Sequence, residues 1–251
     1  VTGAILLQKN LYGEIAMINK ARIEERQQRL TTPRAAAVAG IFAGLLFIAL
    51  HVLVRLAITN SPEDPSGWQV RETEMLTLGL RLVPFAGIAF LWFIGVARDR
   101  LGQQEDRFFA TVFLGSGLLY LAMTFTATAI AGGLLSSATL LQTALDPSIT
   151  KFGLLTITQI TNVYGVRMAA VFMLSMATIW LRTEVMPRWL AVVTYVLGLG
   201  LLLLVNLSLW ATLIFPAWIF GVSVLILISN YRRTSGKEIK HPNVAENPAL
   251  N

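Results

Sequence analysis

Between residues 189 and 228 the chain runs for 40 residues without an Asp, Glu, Lys or Arg. One bilayer-crossing helix needs about 20 mostly apolar residues, so this tract is long enough for two. In hydrocarbon an open strand leaves backbone N–H and C=O groups unpaired, and the helix is the single-segment solution. The tract therefore reads as two helices, about 189–206 and 210–229, with Asn206 and Ser208 marking a tight turn between them. Four further apolar runs precede it, at about 35–58, 76–96, 108–131 (closing at Gly132-Gly133) and 160–181. The expectation is an all-α, polytopic transmembrane helix bundle of about six spans. Only 14% of residues are charged, against about a quarter in soluble domains, which agrees with that class.

Lysine and arginine orient the spans, because they accumulate in cytoplasmic segments. With the N-terminus inside, fifteen basic residues fall on the cytoplasmic side: Lys9, Lys20, Arg22, Arg26, Arg29, Arg34, Arg98, Arg100, Arg107, Arg182, Arg188, Arg232, Arg233, Lys237 and Lys240. Only Arg71 and Lys151 fall outside, and Arg55, Arg81 and Arg167 lie within spans. Both ends are thus expected in the cytoplasm. The domain reading is a cytoplasmic or interfacial N-terminal helix over 1–34, a six-span domain over 35–230, and a flexible cytoplasmic tail over 231–251. The N-terminal apolar stretch is too short and too soon charged to read as a signal peptide.

Residues 10–30 pattern as an amphipathic helix. Leu11, Tyr12, Ile15 and Ile18 share one face, while Lys20–Glu24 and Glu25–Arg29 are charge pairs four residues apart. Such a helix lies on the inner membrane surface or docks a partner, or else is a solvated helical extension. Asp146-Pro147 has the form of an N-cap followed by proline at the first helical position, so the fourth helix is expected to start ahead of its apolar run.

Several chemistries are excluded or disfavoured. The chain has no cysteine, which removes thiolate nucleophiles and Cys-ligated metal. No span contains an Asp or Glu, which disfavours aspartyl catalysis and carboxylate proton relays. Leu114-Gly115-Ser116-Gly117 lacks the glycine two residues before its serine, and His51 is the only intramembrane base. Thr124, Thr126 and Thr128 read as hydroxyls returned to their own helix. No phosphate-cradling loop is present, and no nucleic-acid partner is expected.

The candidate site is built from cations. A charged side chain at bilayer depth costs at least about 2.5–3.5 kcal/mol on insertion scales, yet Arg55, Arg81 and Arg167 all fall in the outer halves of their spans. His51 precedes Arg55 by four residues and shares its face, and Tyr164 precedes Arg167 by three. Together they would form an outer pocket for an anion, such as a lipid headgroup or carboxylate. The competing reading is that these arginines snorkel to the interface or pair with the acids of the first outer loop. Arg167, the deepest, is expected to face the interior and meet a polar group of the first or second helix, or a bound anionic headgroup. No cofactor is expected. His51 has the chemistry of an axial haem or chlorophyll ligand, but a lone intramembrane histidine more commonly makes a hydrogen bond within the packing. Ala36, Gly40 and Gly44 form a small-residue stripe for helix contact.

Arg34-Ala-Ala-Ala-Val-Ala-Gly40, the 181–190 segment Leu-Arg-Thr-Glu-Val-Met-Pro-Arg-Trp-Leu, and Pro216-Ala217-Trp218 resemble an uncharacterised family of bacterial six-span membrane proteins, a domain of unknown function. The likeness covers about residues 33–230. It implies an all-helical six-span fold in a bacterial inner membrane and supplies no activity. That family carries a histidine in its fourth helix where this chain has Arg167. The functional expectation is a non-enzymatic accessory or scaffold subunit contacting membrane lipids and other integral membrane subunits. The alternative is a small carrier or channel that binds an anionic substrate or headgroup through the intramembrane arginines.

Overall fold

The computed structural model describes residues 35, 37–57, 70–101, 107–141, 146–183, 186–204 and 209–238. They form α1 (Ala37–Ala57), α2 (Val70–Leu101), α3 (Arg107–Leu141), α4 (Pro147–Thr158), a π-helical segment (Gln159–Gly165), α5 (Val166–Thr183), α6 (Arg188–Leu204), a 3-10 segment (Leu209–Leu213) and α7 (Ile214–Glu238). There is no strand among the described residues. Five helical stretches are long and apolar enough to cross a membrane: Ala37–Ala57, Thr73–Arg98, Phe108–Ser137, Pro147–Thr183 and Trp210–Ile228. α6 is apolar but has only 17 residues. At 1.5 Å per residue it reaches about 26 Å, a little short of the ~30 Å hydrocarbon layer. The amphipathic helix expected within 1–34, Ala36 of the small-residue stripe, and the turn at Asn206 and Ser208 lie outside the described residues.

The helix limits show where local signals win and where they lose. Asp146 caps α4 with its carboxylate, which accepts from the Ser148 backbone N–H at 2.7 Å, and Pro147 takes the first helical position. α3 does not stop at Gly132-Gly133 but continues to Leu141. A helical glycine costs only about 1 kcal/mol relative to alanine. Ala131 and Leu135, on either side of the pair, are buried in one cluster with Ile157 from the following span. α7 likewise continues past the 231 boundary drawn for a flexible tail, to Glu238. Extending a formed helix needs no new nucleus, and no proline intervenes before Pro242.

At the centre of the bundle, aromatic rings from five helices meet. Phe90 of α2 lies 5.7 Å from Phe47 of α1, 5.9 Å from Tyr120 of α3, 5.7 Å from Phe172 of α5 and 5.9 Å from Phe215 of α7, centroid to centroid. Such edge and tilted pairs add about 0.5–1.5 kcal/mol each beyond burial. Inside a bilayer, close packing rather than exclusion of water holds helices together. Gly40 and Gly44 permit it. A Cβ at Gly40 would overlap Ser223 Oγ, and one at Gly44 would fall 2.9 Å from the backbone nitrogen of Phe220, so α1 lies directly on α7. Phe42, Phe85, Trp92, Phe152 and Leu203 point outward from the bundle, as lipid-facing side chains do.

Polar bonds tie α6 in on both sides. Thr178 of α5 and Tyr195 of α6 share a hydroxyl–hydroxyl bond of 2.5 Å. The Trp218 indole N–H of α7 donates to Thr194 Oγ1 of α6 at 3.0 Å.

Candidate functional site

A cavity of about 80 Å³ opens among α1, α3, the α4–π stretch and the 3-10 segment. Its polar lining comes from His51 and Arg55 of α1, Thr124 and Thr128 of α3, Thr158, Thr161 and Asn162 of the broken span, and Thr212. Leu50, Val54, Ala127, Ala131 and Ile157 supply apolar wall. At roughly 10–15 Å³ per water, the space holds about half a dozen small groups. It sits towards the end of the bundle where α1 finishes and α7 begins.

The helices place these groups by simple spacing. His51, Val54 and Arg55 share one face of α1, and Thr124, Ala127, Thr128 and Ala131 share one face of α3. The His51 ring Nδ1 lies 2.8 Å from the Phe47 carbonyl oxygen. A carbonyl can only accept, so Nδ1 carries the proton, and in the neutral ring the other nitrogen is an acceptor. Thr124, Thr128 and Thr158 each donate to the carbonyl four residues back, at 2.9, 2.8 and 2.9 Å. The backbone thus takes their protons, leaving oxygen lone pairs to serve anything else. The Arg55 guanidinium carbon lies 5.9 Å from the Trp210 ring centroid, within cation–π range.

The third wall is irregular. Gln159–Gly165 is π-helical, and at its end the Val166 N–H reaches back five residues to the Thr161 carbonyl. π turns of this kind recur at functional sites because they re-aim side chains within a span. Here the turn puts Thr161 and Asn162 beside Thr158 on the cavity.

Of the residues picked from sequence, His51 and Arg55 come together and the others do not join them. Arg81 is exposed on α2, Tyr164 is 58% exposed on the π segment, and neither lines the cavity. Arg167 is half-buried, and its Nη1 donates to the Val163 carbonyl at 2.9 Å. The expected partner from α1 or α2 is therefore replaced by Arg167's own helix, four residues back. Gly40 and Gly44 face α7 and Phe93 away from the cavity lining. Sequence reading missed Thr158, Thr161 and Thr212. The signal was present as Thr156, Thr158, Gln159, Thr161 and Asn162, five hydroxyl or amide side chains within seven residues of a span.

No protein-family model, no curated protein and no solved structure matches this chain. The membrane-spanning character rests on the helices themselves.

Proposed function

We propose that the protein is a non-enzymatic six-span membrane protein, with α6 as the short sixth span and both termini cytoplasmic, that holds an anionic headgroup or small anion in its outer half. The arrangement of Arg55 and His51 with six hydroxyl or amide side chains around one cavity carries the reading. Binding sites of this kind combine apolar walls with a few convergent polar groups. Intramembrane cations typically face the bundle interior or a polar cavity. The basic-residue asymmetry supports the orientation, in which the cavity would lie on the side away from the basic segments.

The accessory-subunit reading takes second place. It rests on the apolar bundle without catalytic chemistry and on the 10–30 amphipathic pattern, which lies outside the described residues. Purified full-length protein in mild detergent, probed by native mass spectrometry, is expected to retain an anionic phospholipid. Arg55→Leu is expected to lose it, together with any anion-dependent rise in thermal midpoint. Equal lipid retention by wild type and Arg55→Leu would overturn the assignment.

A further inference from the structure

We infer that the ligand of this cavity carries O–H or N–H donors beside its anionic group, as in a glycerol- or ethanolamine-type phosphoester, and is not a bare anion. The inference rests on the anion-site reading above and concerns what surrounds the anion. Around the cavity, Thr124, Thr128 and Thr158 have given their hydroxyl protons to backbone carbonyls. His51 has given its Nδ1 proton to Phe47. Four polar side chains from three helices therefore meet a ligand as acceptors.

Arg55 is the cationic donor. An anion with no donors of its own can meet Arg55 and the Asn162 amide, but it turns oxygen lone pairs towards the threonine oxygens and the imidazole nitrogen. Lone pair facing lone pair forms no bond and repels. A hydroxyl or ammonium two or three bonds from a phosphate reverses that sign: the phosphate meets the guanidinium and the donors meet the acceptor wall.

The test uses full-length protein in mild detergent, given equimolar phosphatidylglycerol, phosphatidylethanolamine and phosphatidic acid of matched acyl chains, with bound lipid counted by native mass spectrometry. One hydrogen bond of about 1 kcal/mol corresponds to about a fivefold preference. Both donor-bearing lipids are expected to exceed phosphatidic acid by at least about that factor. Thr128→Val and, independently, Thr158→Val are expected to shrink the preference. Thr126→Val is the control, since Thr126 makes the same bond to its own helix, at 2.9 Å to Ala122, but does not line the cavity. Either cavity variant suffices if the other fails to fold. Competition by free glycerol 3-phosphate assigns the phosphoester alone as ligand; failure to compete, with the lipid preference intact, assigns the lipid. Equal retention of all three lipids would overturn the inference and leave the anion site standing. Retention of none, with no stabilisation by glycerol 3-phosphate, would overturn both.

Discussion

The indole N–H of Trp218 points at the hydroxyl oxygen of Thr194, 3.0 Å away, and both residues are buried. This bond joins α7 to α6, the apolar helix of 17 residues. Thr194→Val leaves the indole without an acceptor, at an expected cost of about 1–2 kcal/mol. Trp218→Phe removes the donor as well, so adding Thr194→Val to Trp218→Phe should cost little further. Thermal unfolding in detergent of the two single variants and the double variant measures the coupling. Simple additivity would contradict it.

Gly44 and Gly95 make a paired test of close packing. A Cβ at Gly44 would press on the Phe220 backbone, whereas at Gly95 nothing lies within 4 Å. Gly44→Ala is expected to destabilise by about 1–3 kcal/mol through overpacking. Gly95→Ala is expected to be neutral or to stabilise by up to about 1 kcal/mol through helix propensity. Thermal midpoints in one detergent compare the two directly.

Arg55 and Arg167 should behave differently although both are intramembrane cations. Arg167 bonds the Val163 carbonyl and does not line the cavity. Arg167→Leu is therefore expected to leave lipid retention unchanged under conditions where Arg55→Leu abolishes it. Loss of lipid in both would extend the site to Arg167.

The Asp146 cap gives a pH signature. The Ser148 backbone N–H first, and then the Ser148 hydroxyl and the Ile149 N–H, hold the Asp146 carboxyl below its ordinary value. A lowered folded-state value means that the carboxylate's contribution is present above the ordinary carboxylate range and is lost as pH falls through the lowered value. Hydrogen exchange at the first amides of α4, corrected for intrinsic rate, is expected to show less protection in acid. Asp146→Asn keeps an acceptor and is expected to remove that pH dependence.

Orientation is testable by reporters fused after Arg100, after Arg182 and at the C-terminus, all expected to be cytoplasmic, and at Ser66, expected to be external. An external C-terminus would refute the six-span arrangement.

The helical class was legible because apolar run length alone decides it in a bilayer. The α4 start was legible because Asp146-Pro147 is a local signal. The α3 end was not, since Gly132-Gly133 is overridden by packing of Ala131 and Leu135 against Ile157, which is distant in sequence. His51 and Arg55 could be paired because they share one helix. Their meeting with Thr158 and Asn162 depends on a tertiary contact, and no helical period predicts the π turn that brings Thr161 alongside.

That turn makes one membrane-crossing rod into two segments with a phase break between them. α5 is anchored by ten buried side chains, whereas α4 buries only Thr150, Gly153 and Ile157. Rotation or tilt of α4 can be absorbed by rewinding residues 159–165, so adjustment at the cavity wall need not propagate into the aromatic core. A helical wheel drawn through 147–183 in a single register would place the wrong residues side by side.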